Sequence, residues 1–213
     1  MIIAGIEEAG RGPVIGPMVM AICSIENDKE HLLKSIGVKD SKLLSKVKRS
    51  SILEEIKKVC KVDIQILSPF EIDNALNSSS LNLNLLEAKT SGNLIDRLSA
   101  DKYILDLPSN NAKAYTDAVK GFCHRKNINI LAEHKADFNY LIVGAASIVA
   151  KVVRDEEVEK LKKQIGIDFG SGYPSDPRTK SFLKKHYLSH SDIFRKTWKT
   201  YKKIENNSSQ MKL

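Results

Sequence analysis

The 213-residue chain is 42% hydrophobic, 28% charged and carries a net charge of +8, enough apolar material for a sizeable core and too much for a disordered protein. No stretch approaches 18 continuous apolar residues, and no basic segment leads into an apolar signal core, which speaks against a membrane span or secretion and for a cytoplasmic protein. From Arg178 to Leu213 there are ten Lys/Arg against two Asp/Glu, so the remaining residues balance at 24 of each sign and the whole excess lies in the last sixth of the chain.

The first predicted element is the apolar run Met1 to Ile6, a buried strand. It leads into two adjacent carboxylates, Glu7 and Glu8, and then into Gly10-Arg11-Gly12-Pro13. Neighbouring residues of a strand point to opposite faces, so two ligands for one site require a strand end or bulge here. Gly10 and Gly12 free the backbone to turn and let a bulky ligand approach bare main chain. Two acids on a rigid strand, a run of backbone amides and one guanidinium suit metal-assisted chemistry on a phosphodiester. A surface turn with both acids solvated is the plainer alternative.

Val14 to Ile25 reads as a second strand, and Lys39-Asp40-Ser41-Lys42 as a polar turn before a helix from about Ser45 to Cys60. In that helix Val47, Ile52, Ile56 and Val59 recur at near-helical spacing. Val62 to Leu67 alternates like a half-buried strand. Ser68-Pro69-Phe70-Glu71 has the form of a capping box with proline at the first helical position. Leu81 to Leu98 reads as a helix with Leu83, Leu86, Ile95 and Leu98 inward.

Tyr103 to Leu105 is a buried-strand run with Asp106 at its carboxyl end, where open α/β sheets place ligand sites; a loop-capping aspartate is the alternative. A helix over Ala112 to Cys123 and a strand over Ile128 to Leu131 follow. Asp137 comes just before a long amphipathic helix whose small residues permit close packing on the sheet, and an N-cap role is its alternative. His134 reads as structural rather than as a general base. Asp168 to Pro177 is a Gly/Pro-rich loop carrying Tyr173. Two basic helical stretches are expected at Arg178 to Tyr187 and Ile193 to Ile204, with a frayed tail from Asn206. Cations interleaved with aromatics in Arg195-Lys196-Thr197-Trp198-Lys199 suit a phosphate backbone, although Trp198 serves equally to anchor the helix. Three cysteines with no Cys-x-x-Cys pair support neither a disulfide framework nor a zinc site.

Gly5-Ile6-Glu7-Glu8-Ala9-Gly10-Arg11-Gly12-Pro13-Val14-Ile15-Gly16-Pro17 resembles the signature of ribonuclease HII, the type 2 ribonuclease H, in its archaeal form. Leu81 to Ala88, Asp106, Glu133-His134-Lys135-Ala136-Asp137, Ala145 to Lys151 and Arg154-Asp155 resemble further family segments in the family's order, so the likeness runs from Gly5 to about Lys199. It implies a ribonuclease H-like α/β fold, a mixed sheet flanked by helices, with a catalytic domain over 1–177 and a basic helical substrate-binding segment over 178–213. It further implies an endoribonuclease that cuts RNA/DNA hybrids, and DNA duplexes containing ribonucleotides, on the 5′ side of the ribonucleotide. The products would carry a 3′-hydroxyl and a 5′-phosphate.

On the same resemblance Glu7, Glu8, Asp106 and Asp137 are the catalytic acids and hold two Mg²⁺ or Mn²⁺ ions. Gly10, Arg11 and Gly12 sense the 2′-hydroxyl, and Tyr173 packs on the sugar that follows the ribonucleotide. Lys39, Ser41, Lys42, Arg195, Lys196 and Lys199 contact phosphates. A monomer is implied, and Gln210-Met211-Lys212-Leu213 resembles the start of a sliding-clamp motif without its aromatic pair. One position departs: the family has aspartate where Glu7 stands, and the added methylene carries the carboxylate about 1.5 Å further. That leaves a fully working enzyme, a slow or Mn²⁺-preferring one, or a hybrid-binding protein that does not cut. The working enzyme is the reading taken. Ribonuclease HIII and an unrelated metal-dependent nuclease are the rival enzymes.

Overall fold

A computed structural model of the chain describes residues 1–38 and 45–210. Among these, five strands form one mixed sheet in the order β3-β2-β1-β4-β5. They are β1 (Ile2–Ala9), β2 (Met18–Glu26), β3 (Lys61–Leu67), β4 (Lys102–Asp106) and β5 (Ile130–Glu133). β1 runs antiparallel to β2 and parallel to β4, and β4 runs parallel to β5. The mixed α/β class expected from the sequence is what is found.

The described helices are α1 (His31–Ile36), α2 (Lys46–Val59), α3 (Pro69–Asn77), α4 (Leu83–Arg97), α5 (Ala112–Phe122), α6 (Ala136–Asn139), α7 (Leu141–Ile165), α8 (Pro177–His186) and α9 (Lys199–Gln210). The capping box at α3 is formed in full: the Ser68 hydroxyl accepts the Glu71 amide, and the Glu71 carboxylate accepts the Ser68 amide at 2.8 Å. No helix among the described residues is long and apolar enough to cross a membrane.

The chain divides into two compact units, the first made of 1–9, 19–65 and 84–153, the second of 10–18, 66–83 and 154 onward. The expected boundary at 177/178 does not match this grouping. Loop 10–18 and the second half of α7 belong with the C-terminal segment because they share its own apolar cluster, built on Val14, Ile15, Val158, Phe169, Phe182 and Phe194, and α3 is tied to it by Asp73, which accepts the Lys196 and Thr197 amides.

In the first unit the sheet is covered on both faces. On one face Ile3, Val19, Ala21, Cys23 and Ile104 pack against Ile52, Leu53 and Ile56 of α2 and against α7. On the other, Ala4, Ile6, Met20, Ile22 and Leu105 meet Leu94 and Ile95 of α4 and Tyr115 and Val119 of α5. Burying each such Ile or Leu contributes roughly 1.5–3 kcal/mol. The start of α7 alternates small and branched residues (Val143, Ala145, Ala146, Ile148), all buried, and reaches the sheet directly at Gly5.

Three element expectations need correction. Val47 is 81% exposed, and Leu53 takes the inward place beside Ile52 and Ile56. The second strand starts at Met18, not Val14, since Ile15 bridges Phe194 and the Val14 amide binds the Gly172 carbonyl. The last helix begins at Lys199 rather than Ile193; residues 191–193 form a short 3-10 turn, and the helix continues to Gln210 through the tail expected to fray.

Candidate active site

Glu7 and Glu8 lie within β1, which stays paired with β2 as far as Ala9 opposite Val19. The strand neither ends nor bulges at the acidic pair, contrary to expectation. What ends there is the other neighbour: β4 pairs Gly5 with Ile104 and Ile6 with Leu105, then stops at Asp106. The register sets Glu7 level with Asp106 on adjacent parallel strands. Strand alternation assigns each acid to a face. Glu7 follows Ile3 and Gly5 on the α7 side, Asp106 follows Ile104 on that same side, and Glu8 follows Ala4 and Ile6 on the α4/α5 side.

Asp137 arrives from β5. Lys135 adopts a left-handed backbone, φ 59°, and turns the chain into α6, in whose first turn Asp137 sits. The Ala136 amide donates to Asp106 Oδ1 at 2.8 Å, which fixes the aspartate of β4 against the residue preceding Asp137. Asp137 therefore lies inside the short helix α6, four residues ahead of Leu141 where the long helix α7 begins, and not at the cap position of α7. All four acids are half-buried, and His134 is exposed.

Two further acids belong to this neighbourhood and escaped the sequence reading. Glu133 pairs with Asp106 across β4 and β5, and its carboxylate accepts the Asn139 amide and, at 2.9 Å, the Tyr140 hydroxyl. That hydrogen bond, with burial, raises the Tyr140 phenol above its ordinary range. Glu87 of α4 is 1% exposed. Burial pushes the Tyr115 phenol up, and the charges of Glu87, Glu8 and Glu7 add to that shift. Asp106 with Glu133 was readable as a pair of strand ends; Glu87, inside an apolar helical run, carried no sequence signal of its own.

The donor set is oxygen only, which fits a hard divalent cation and not a thiolate-seeking one. Among the described residues no three His, Cys, Asp or Glu side chains form a ready-made ion cage. A small hard cation that keeps several waters and binds through one or two carboxylates plus substrate phosphate needs no such cage, so Glu7, Asp106 and Asp137 fit it; Glu8, on the other face of β1, fits only by reaching past the point where β4 ends at Asp106.

The second unit holds the glycine loop. Gly10 has φ +83°, and a side-chain carbon there would lie 2.8 Å from the Pro17 carbonyl oxygen, so only glycine suits the position. Gly12 is exposed and faces the Tyr173 ring, 3.5 Å from where a side chain would start. The structure thus brings together two of the expected recognition residues. Arg154, 2% exposed, donates to the Ser171 carbonyl at 2.8 Å and stands 5.3 Å from the Tyr173 ring centre.

Lys39, Ser41 and Lys42 lie outside the described residues. Lys196 and Lys199 are exposed, as phosphate contacts require. Arg195 is not, and its expected phosphate role is corrected. It is fully buried and donates through Nε to Gly16 O at 3.0 Å, through Nη1 to Arg11 O at 2.9 Å and through Nη2 to Gly10 O at 2.6 Å. Burial pulls its guanidinium down to about 9, with the charge of Arg154 contributing, which leaves it ionised at neutral pH. Trp198 resolves toward anchoring: its indole donates to Gly12 O at 3.2 Å and its ring lies 4.8 Å from the Arg195 guanidinium carbon.

A family model described as ribonuclease HII matches residues 4–201. The chain is 44% identical to ribonuclease HII of Methanocaldococcus jannaschii, covering 100% of this chain and 99% of that protein. Its fold is similar to the crystal structure of ribonuclease H2 from Pyrococcus horikoshii OT3, with a TM-score of 0.88, 40% identity and coverage of 97% and 98%. It is also similar to ribonuclease HII from Archaeoglobus fulgidus, solved as a complex with PCNA, with a TM-score of 0.85, 38% identity and coverage of 93% and 96%.

Proposed function

The chain belongs to the ribonuclease HII family, and from that premise we infer a metal-dependent endoribonuclease that acts on RNA/DNA hybrids. The observation that carries the reading is the convergence of Glu7 and Asp106 at one level of one sheet face, with Asp137 tied to Asp106 through the Ala136 amide. We propose that these three hold two Mg²⁺ or Mn²⁺ ions, and that Glu8, from the other face of β1, joins them past the point where β4 ends at Asp106. Such ions, when bound, make water nucleophilic at neutral pH and stabilise the departing oxygen.

The chain's own part is to orient the acids and to choose the bond. Parallel pairing of β1 and β4 fixes Glu7 against Asp106, and the Ala136 amide holds the Asp106 carboxylate in one rotamer. In this reading the 2′-hydroxyl is sensed by the main chain of Gly10, Arg11 and Gly12, the group by which a protein tells RNA from DNA. Tyr173, one third exposed and seated beside Gly12, packs on the following sugar. Lys196 and Lys199 take phosphates. Cleavage then falls 5′ of the ribonucleotide and leaves a 3′-hydroxyl and a 5′-phosphate, the chain acting as a monomer. The PCNA complex of the A. fulgidus relative supports a sliding-clamp contact through the C-terminal tail, most of which lies outside the described residues.

A second reading, a hybrid-binding protein that does not cut, is favoured by Glu7 in the place of the family's aspartate. The test uses an end-labelled DNA duplex with one ribonucleotide and the unmodified, Glu7→Asp and Asp106→Asn proteins in Mg²⁺ and in Mn²⁺. Cutting 5′ of the ribonucleotide by the unmodified protein, lost in Asp106→Asn, is the expected result. Binding without cutting by the unmodified protein, restored by Glu7→Asp, would favour the second reading.

A further inference from the structure

Arg195 is a cation committed to the backbone of a distant loop. Its three bonds end on carbonyls 179 to 185 positions earlier in the chain, and they use all three nitrogens of the guanidinium. A fully buried Arg is rare unless its charge is satisfied. Here the partners are main-chain oxygens of residues 10, 11 and 16, so the charge fixes the backbone of the loop rather than a side chain. The planar fork matters, because an ammonium cannot reach three carbonyls arranged around one plane.

Trp198 completes the arrangement. Its indole N–H binds Gly12 O, the next carbonyl along the loop, while its ring covers the guanidinium. The Arg195 amide returns to Val14 O at 2.9 Å, and the Gly16 amide to Ile193 O at 2.9 Å. The segment 193–198 therefore grips carbonyls of Gly10, Arg11, Gly12, Val14 and Gly16. Asp73 steadies the grip from behind, accepting the Lys196 amide at 2.7 Å and the Thr197 amide at 3.0 Å. When carbonyls 10 and 11 are held in this way, the planar peptide units also fix the directions of the Arg11 and Gly12 amides.

We propose that Arg195, covered by Trp198, is a positioning residue for ribonucleotide selectivity: it locks the carbonyls of Gly10 and Arg11 so that the loop's amides meet a 2′-hydroxyl. This rests on the reading that the loop senses that group. Arg195 itself touches no substrate. Its loss removes discrimination between ribose and deoxyribose before it removes affinity for duplex, since the exposed lysines that meet phosphates stay in place.

The test measures binding by fluorescence anisotropy, with EDTA present to prevent hydrolysis, to two DNA duplexes of one sequence, one of them with a single ribonucleotide. The proteins are the unmodified chain, Arg195→Lys and Trp198→Phe. Trp198 is the chain's only tryptophan, so its emission reports directly on the clamp in the unmodified and Arg195→Lys proteins. The unmodified protein is expected to prefer the ribonucleotide duplex by at least ~10-fold. Arg195→Lys is expected to bring the ratio near unity, with all-DNA affinity within about twofold and a shifted Trp198 emission. Trp198→Phe, which keeps the ring cover and loses one donor, is expected to lose part of the ratio, and it carries the test if Arg195→Lys does not fold. An unchanged ratio in the folded variants, with only a lower melting temperature, would reduce Arg195 to a structural role and overturn the proposal. No preference in the unmodified protein would instead sink the loop-sensing reading, and the proposal with it.

Discussion

Gly5 and Ile142 meet backbone to backbone: a methyl group on Gly5 would stand 2.5 Å from the Ile142 carbonyl carbon and oxygen. Neither atom can move without displacing β1 or the first turn of α7. Gly5→Ala is therefore expected to destabilise the protein by about 1–3 kcal/mol, as overpacked cores do. For a chain of this size each kcal/mol lowers the melting temperature by about 2–4 °C, which calorimetry reads directly. An unchanged melting temperature would mean that helix and strand separate freely here.

Asp73 on α3 is 8% exposed and accepts two backbone amides and the Thr197 hydroxyl. Removing it leaves those donors buried without their acceptor. Asp73→Ala is expected to cost about 1.5–3 kcal/mol in urea unfolding, the range for hydrogen bonds to a charged group. Asp73→Asn should cost less, because one oxygen acceptor remains.

Asp176 caps α8 and binds the Ser171 amide at 2.8 Å and the Arg178 amide at 2.9 Å. The Ser171 amide bond leads in holding its carboxyl down at about 2. A carboxyl whose folded value is depressed adds stability above its unfolded value of about 3.9, and that stability is lost as the pH falls through the folded value. Stability should therefore decline between about pH 4 and pH 2, and Asp176→Asn should flatten that part of the curve. NMR titration of the Asp176 carboxyl near its ordinary value would remove the basis for this expectation.

Lys196 and Lys199 face solvent on either side of Trp198. If each neutralises one phosphate, Lys196→Ala and Lys199→Ala should each reduce the slope of log K against log salt by about 1, uniformly across sequences. Arg195→Lys should leave that slope alone. A full slope in both lysine variants would move the phosphate track elsewhere on the basic segment.

Much of the fold could be read from local chemistry. Alternation marked β3, the Ser68-Pro69 pair marked the start of α3, and the apolar run into Asp106 marked β4, because each is decided by neighbours in sequence. The acids were legible for the same reason, as polar ends of apolar runs. Arg195 was not: a cation among cations and aromatics looks solvent-exposed until one knows that loop 10–16 presents its carbonyls there. Glu87 failed in the same way, since burial of a charge depends on what packs opposite. Val47 shows the converse, an apolar residue at a helical period that lies on the outward face of α2. The grouping of residues 10–18 with the C-terminal segment was likewise invisible, because it depends on pairings such as Ile15 with Phe194.

The long reach from Arg195 back to Gly10 also fixes an order of events during synthesis. At about 5–20 residues per second, the ribosome adds Arg195 roughly 10–40 s after the glycine loop has been made. Through that interval β1, β2, β4 and β5 can assemble, and with them the acids, while Gly10, Arg11 and Gly16 still lack the partner for their carbonyls. On the roles proposed above, the nascent chain thus acquires its acids before its glycine loop is held, and a product truncated before residue 195 would stay at that stage permanently.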